Sequence, residues 1–116
     1  RLLLFLERIN PEAMLIRTMD NSMSVEQLHA ALLITVRAEY EHNLSQQLYV
    51  SPKTWNTIKS SKENVIRLVN TVASTLPPDA PAFELSKRIM DAIIASDTSP
   101  VQVSIDLLKF EAEQFM

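Results

Sequence analysis

The chain has 116 residues and a formal net charge of −3, and 47% of its residues are hydrophobic, as expected for one folded domain rather than a disordered or nucleic-acid-binding chain. It contains no cysteine, which excludes disulfides, thiolate nucleophiles and cysteine-based zinc sites. It contains no glycine either, which excludes the phosphate-binding loops and nucleophile elbows that depend on glycine and disfavours two-residue β-hairpins.

Six helices are predicted in chain order. The first ends near Arg8, and a short second helix runs from Pro11 to about Met19, followed by a turn at residues 20–22. The four later helices are predicted at Val25 to about Leu48, Pro52 to about Thr75, Ala82 to about Ser96, and Pro100 to about Phe115. Within them apolar residues recur every three or four positions, which is the period of an amphipathic helix.

Serine or asparagine marks four of the predicted helix starts. Three of these residues stand directly before a proline, which suits the first helical position, and each can cap the free backbone N–H groups there. The fourth, Ser24, lies three residues before Gln27, which is the spacing of a capping box, and Ser99 stands in the same relation to Gln102. The three proline pairs are Asn10-Pro11, Ser51-Pro52 and Ser99-Pro100.

The predicted fold class is all-α. The third and fourth helices would each be about 35 Å long, and the short connection between them forces an antiparallel hairpin. We therefore expect residues 1–116 to form a single domain, an irregular antiparallel bundle of five to six helices built around this long hairpin, with no β-sheet. The residues expected to be mostly buried are Leu32, Val36, Ile58, Val65, Val69, Ile89, Ile93, Ile105 and Leu108.

Two Glu-x-x-His pairs, Glu26 with His29 and Glu39 with His42, lie on the third predicted helix. Such pairs supply metal ligands in di-iron helical bundles. Here the pairs would lie about 20 Å apart along the helix axis, too far for one dinuclear site. We therefore interpret Glu39, His42 and the pair Arg37–Glu41 as partners in surface or interface salt bridges and predict no catalytic residue, cofactor or metal. The alternative is a small helical metal-binding module or enzyme that uses Glu39 and His42.

Two further features are interpreted as structural. Tyr49 and Trp55 flank the predicted hairpin turn, where we expect them to close the end of the core rather than to anchor a partner. The fourth predicted helix is locally basic, but in an acidic chain this indicates a solvated face and no nucleic-acid partner. Its cations are Lys53, Lys59, Lys62 and Arg67.

The first helix carries five consecutive apolar residues, at positions 2–6. They point in every direction around a helix, and one short helix cannot bury every face against its own small bundle. We therefore expect a second copy of the chain to cover its outer side, in a homodimer or small oligomer. The predicted interface residues are Leu2, Leu3, Phe5 and Leu6.

Residues 38–51, Trp55 and residues 62–66 together resemble an uncharacterised family of Bacteroidetes proteins, and residues 4–11 fit the start of the same domain. The resemblance implies short proteins with one N-terminal membrane-spanning helix, a charged linker helix and this domain. It thus implies a fragment from the cytoplasmic side of the inner membrane, attached to the membrane only through a segment that this chain lacks. The family offers no activity or functional residues to carry over, so we interpret the domain as a non-catalytic protein-interaction or scaffold domain.

Overall fold

The structure, a computed structural model, describes residues 1–97 and 99–114. Its helices are α1 (Leu2–Ile9), α2 (Pro11–Thr18), α3 (Val25–His42), a 3-10 helix (Leu44–Tyr49), α4 (Pro52–Ala73), α5 (Ala82–Ser96) and α6 (Gln102–Glu113). These residues form no strand, and a single isolated β-bridge joins Ser24 to Pro81. The all-α prediction is therefore confirmed.

Helices α3 and α4 form the predicted antiparallel hairpin. His29 near the start of α3 meets Asn70 near the end of α4, with His29 Nε2 2.7 Å from Asn70 Oδ1. At the other end, the rings of Tyr40 and Trp55 lie 5.6 Å apart. Helices α1, α2 and α5 pack against α3, while α6 packs against α4. The shorter helices therefore cover the hairpin, as expected.

Three of the four predicted caps are present. The side chains of Asn10, Ser24 and Ser51 each accept a hydrogen bond from a backbone N–H in the first turn of the following helix, and Ser24 with Gln27 completes a capping box. The prediction for Ser99 is wrong. Its hydroxyl accepts a hydrogen bond from the Val101 N–H, at 3.3 Å, in a turn that precedes α6. Helix α6 therefore begins at Gln102, and its predicted end at Phe115 lies outside the described residues.

Helix α3 ends at His42, six residues before the predicted Leu48. Asn43 is buried, and its side-chain amide donates a 2.8 Å hydrogen bond to the Glu39 carbonyl, while its backbone N–H bonds to the Tyr40 carbonyl. These bonds tighten the last turn, and the chain continues as a 3-10 helix with no buried side chain. The apolar spacing at Leu44 and Leu48 is thus not that of a core-facing helix.

The core lies where the hairpin meets the other helices. Six of the nine residues expected there are buried, and the other three, Ile93, Ile105 and Leu108, are half-buried against the core. Helix α1 contributes more than expected, since four of its eight residues are buried. They are Leu2, Phe5, Leu6 and Ile9.

Helix α6 is fixed to α4 by polar contacts at two places. In the middle, the buried Ser104 donates a 3.0 Å hydrogen bond to the Thr57 carbonyl, and its oxygen lies 2.6 Å from the buried Ser61 hydroxyl, which therefore donates to it. Near its end, the Glu111 carboxylate accepts hydrogen bonds from the Ser51 N–H, at 2.7 Å, and from the Thr54 hydroxyl. The Thr54 hydrogen bond is the main cause that holds the pKa of Glu111 below its ordinary value.

Asp97 ends α5 in the left-handed conformation, with φ 55° and ψ 22°, and is the one residue of positive φ among those described. A Cβ in this conformation costs about 1 kcal/mol, and the carboxylate lies at the negative end of the helix dipole. We therefore expect Asp97→Gly to raise the free energy of unfolding by about 1 kcal/mol, measured by urea denaturation. Asp97→Ala keeps the Cβ and removes only the charge, so it should bring a smaller gain, about 0.3 kcal/mol. A glycine variant no more stable than the wild type would contradict the prediction.

Candidate functional site

A cleft of about 400 Å³ opens at the end of the bundle where α1 begins and α3 ends. Both residues of the sequence-predicted pair, Glu39 and His42, line it together with residues from the first two turns of α1. The complete lining is Arg1, Leu4, Phe5, Arg8, Glu39, His42 and Asn43. The cleft therefore combines an apolar wall with charged side chains.

The charge of Glu39 is paired inside this cleft. Arg8 Nε donates a hydrogen bond to Glu39 Oε1 at 2.5 Å, and the Arg8 carbonyl accepts one from Arg17 Nη2 at 3.1 Å. The prediction that Glu39 is a salt-bridge partner is therefore confirmed. For His42 it is wrong, because His42 is exposed and makes no ion pair with the described residues. Across residues 1–97 and 99–114, no three His, Asp or Glu side chains lie close enough together to hold a metal ion.

Beneath the cleft lies a stack of three aromatic rings. The Phe5 and Tyr40 ring centroids are 6.1 Å apart, and the Tyr40 and Trp55 ring centroids are 5.6 Å apart. The Lys62 ammonium lies 4.2 Å from the Tyr40 ring centroid, a cation–π contact. Burial, and next the negative charge of Glu63, raise the pKa of Tyr40. The stack joins α1, α3 and α4, so its role is structural.

The prediction that both aromatic residues near the turn close the core holds for Trp55 and is wrong for Tyr49. Trp55 is buried in the stack, but Tyr49 ends the 3-10 helix and is 77% exposed. Leu44 and Leu48 are exposed on the same short helix, Leu48 by 86%. We call these three residues, Leu44, Leu48 and Tyr49, the 3-10 surface.

A second cleft, of about 270 Å³, lies where α1 begins beside α6. It is lined by Arg1, Leu2, Leu3, Gln46, Leu108, Lys109 and Ala112. The side of α1 that faces away from the bundle is exposed. We call its exposed residues, Arg1, Leu3, Leu4 and Glu7, the α1 ridge.

Three of the four predicted interface residues are buried in the structure. Leu2, Phe5 and Leu6 are buried within the chain itself, because α2, α3, α4 and α6 all contact α1. They cannot serve a partner without unfolding the bundle, so the assignment of these three to an interface needs correction. Leu3 is 36% exposed. Leu4, which is not among the predicted interface residues, is 58% exposed. Self-association itself stays a prediction.

One family model, described as a family of unknown function (DUF7935), matches residues 1–115. The chain belongs to the DUF7935 family. The predicted membership of a family without assigned activity, covering nearly the whole chain, is therefore confirmed. Comparison with curated proteins and with solved structures gives no match. Among the described residues of this DUF7935 domain, no helix has both the length and the hydropathy needed to cross a bilayer.

The other Glu-x-x-His pair of the DUF7935 domain lies at the opposite end of the hairpin. Glu26 and His29 line a separate cleft of about 380 Å³ between the start of α3 and the end of α4. His29 is bound there to Asn70. The two pairs are therefore apart in the structure, as the helix geometry requires, and no shared site forms.

Proposed function

We propose that this DUF7935 domain is a non-catalytic protein-interaction domain of a membrane-anchored protein, and that it binds its partner through the 3-10 surface. The observation that carries the proposal is the exposure of Leu48 and Tyr49, two large apolar side chains in adjacent positions. Contiguous exposed apolar patches mark interaction sites, and tyrosine is enriched among the residues that dominate binding.

Both ends of this surface are held in place. At the start, the Asn43 side chain is bonded to the last turn of α3. Just beyond the end, the Ser51 N–H is bonded to Glu111 of α6. A binding segment fixed in this way loses little conformational entropy when a partner docks. This supports a binding role rather than a loop that is apolar by chance.

The membrane anchor, the placement on the cytoplasmic side of the inner membrane and the origin in Bacteroidetes are supported by the sequence resemblance. A tether would confine the domain to a surface, where the effective concentration of a partner on the same membrane rises. An interaction domain gains affinity from such confinement without any new contact.

Site-specific photo-crosslinking in living cells tests this proposal. A benzophenone amino acid replaces Leu48 in the full-length protein, and the matched control carries it at Ile34, an exposed apolar position in the middle of α3. We expect a discrete adduct from position 48 and none from position 34. Adding Tyr49→Asp should lower the yield at position 48 about tenfold, as for a residue that dominates binding. Equal adducts from both positions, or none from position 48, would contradict the proposal.

A further inference from the structure

We propose that the domain also binds a second copy of this chain through the α1 ridge, with the two α1 helices antiparallel about a two-fold axis near Leu4. This dimer goes beyond the proposed function, because it uses a surface separate from the 3-10 surface. It is supported by the exposed apolar residues, the order of charges along the ridge and the clefts beside it.

The ridge offers a short apolar face bounded by charge. Leu3 and Leu4 lie four and three residues before Glu7, so all three share one side of the helix. That side is exposed, while the inner side of α1 is buried among four other helices. Arg1 is exposed at one end of this face and Glu7 at the other.

The charges on the ridge complement each other only in one orientation. Arg1 and Glu7 lie three residues on either side of Leu4, so an antiparallel pair centred on Leu4 places Arg1 opposite Glu7 of the second copy, twice. A parallel pair would instead place like charges together. Arg8, the remaining cation of α1, is already paired with Glu39. The charge pattern therefore favours a closed, two-fold arrangement.

The clefts provide the concave surface that a ridge needs. Both adjoin the start of α1, with volumes of about 400 and 270 Å³, and the smaller one includes an apolar wall from Leu108 and Ala112. A facing helix can insert side chains into such grooves, which is how helices pack. An eight-residue helix alone buries less than the roughly 800 Å² of surface per partner that is typical of a stable interface. The walls of the clefts add to the area that a second copy would bury.

Sedimentation equilibrium from about 1 to 100 µM tests the proposal, with affinities in the micromolar range expected for a small interface of this kind. We expect the wild-type chain to dimerise. Leu4→Glu places two buried, unpaired carboxylates at the axis and should weaken the dimer at least about 100-fold. Ile34→Glu, the same change at an exposed residue of α3, should leave the dimer unchanged.

Charge reversal tests the orientation. Glu7→Arg places arginines against Arg1 of the second copy, and Arg1→Glu places two glutamates together. Each variant alone should dimerise about tenfold more weakly than wild type at low salt. Mixing the two variants should restore the affinity as a heterodimer, because both cross-pairs then join opposite charges. All these positions are exposed, and thermal melts will confirm that each variant folds.

The outcomes are separable. A monomer throughout the concentration range, or a dimer that withstands Leu4→Glu, would overturn the proposal. A Leu4-dependent dimer that neither charge reversal alone weakens would overturn the antiparallel arrangement, because a parallel pair already places like charges together in the wild type. A monomeric chain that still gives a discrete photo-adduct from position 48 would leave the proposed function standing while removing this inference. A ridge-dependent dimer without that adduct would leave this inference standing and remove the proposed function.

Discussion

Phe5→Ala is expected to lower the free energy of unfolding by about 3–5 kcal/mol, the range for truncating a buried phenylalanine. Phe5 is 1% exposed, and its ring contacts Tyr40, which in turn stacks on Trp55. The truncation removes a ring from the point where three helices meet. Because four helices contact the inner side of α1, it cannot move far enough to fill the cavity. Half of a typical domain's stability would be lost.

The matched control is Leu4→Ala, at the preceding position of the same helix. Leu4 is mainly exposed, so its truncation should cost less than about 1 kcal/mol. Urea denaturation followed by circular dichroism measures both variants, at protein concentrations low enough to keep the chain monomeric. Similar losses for the two variants would mean that the inward and outward sides of α1 are wrongly assigned.

Ser104→Leu is expected to lower the free energy of unfolding by about 3 kcal/mol or more. Ser104 is fully buried between α6 and α4, with hydrogen bonds to Ser61 and to the Thr57 carbonyl. A leucine there has to push the two helices apart, because the site holds only a hydroxymethyl group. It also leaves the buried Ser61 hydroxyl without its partner. The two effects act in the same direction.

Two comparison variants separate these effects. Ser104→Ala removes the hydrogen bonds without adding volume and should cost about 1–2 kcal/mol. Val103→Leu adds volume at the neighbouring exposed position and should change stability by less than about 0.5 kcal/mol. The unfolding free energies again come from urea titrations. If Ser104→Leu proves no worse than Ser104→Ala, the two helices do not approach closely at this point.

The helices that begin at local signals could be predicted from the sequence. Asn10, Ser24 and Ser51 act through contacts within three residues, so their capping is independent of the rest of the fold. The bounds of α5, Ala82–Ser96, are also those predicted, because prolines precede it and apolar spacing continues to its end. Local chemistry decides such elements, and tertiary packing does not override it.

The candidate surfaces depend on tertiary contacts, so most of their residues could not be predicted from the sequence alone. Five consecutive apolar residues in α1 give no preferred face, so only the surrounding helices decide that Leu2 is buried and Leu4 exposed. The 3-10 surface exists because Asn43 ends α3 by bonding back to Glu39. Asn43 itself indicates this break, since asparagine is unfavourable in helix interiors. The helical spacing of Leu44 and Leu48 instead favours a prediction in which the helix continues.

A backbone whose left-handed turn at Asp97 is made without glycine also has a consequence for the unfolded chain. Every residue of this sequence carries a Cβ, so the denatured backbone samples fewer conformations than that of a chain with ordinary glycine content. About eight glycines would be usual at this length, and each one absent from a position of ordinary φ spares about 0.4–1 kcal/mol of folding entropy. The sum, roughly 3–8 kcal/mol, approaches the whole stability of a small domain. The absence of glycine therefore stabilises the bundle through the restricted freedom of its denatured state, with that sum as the upper bound.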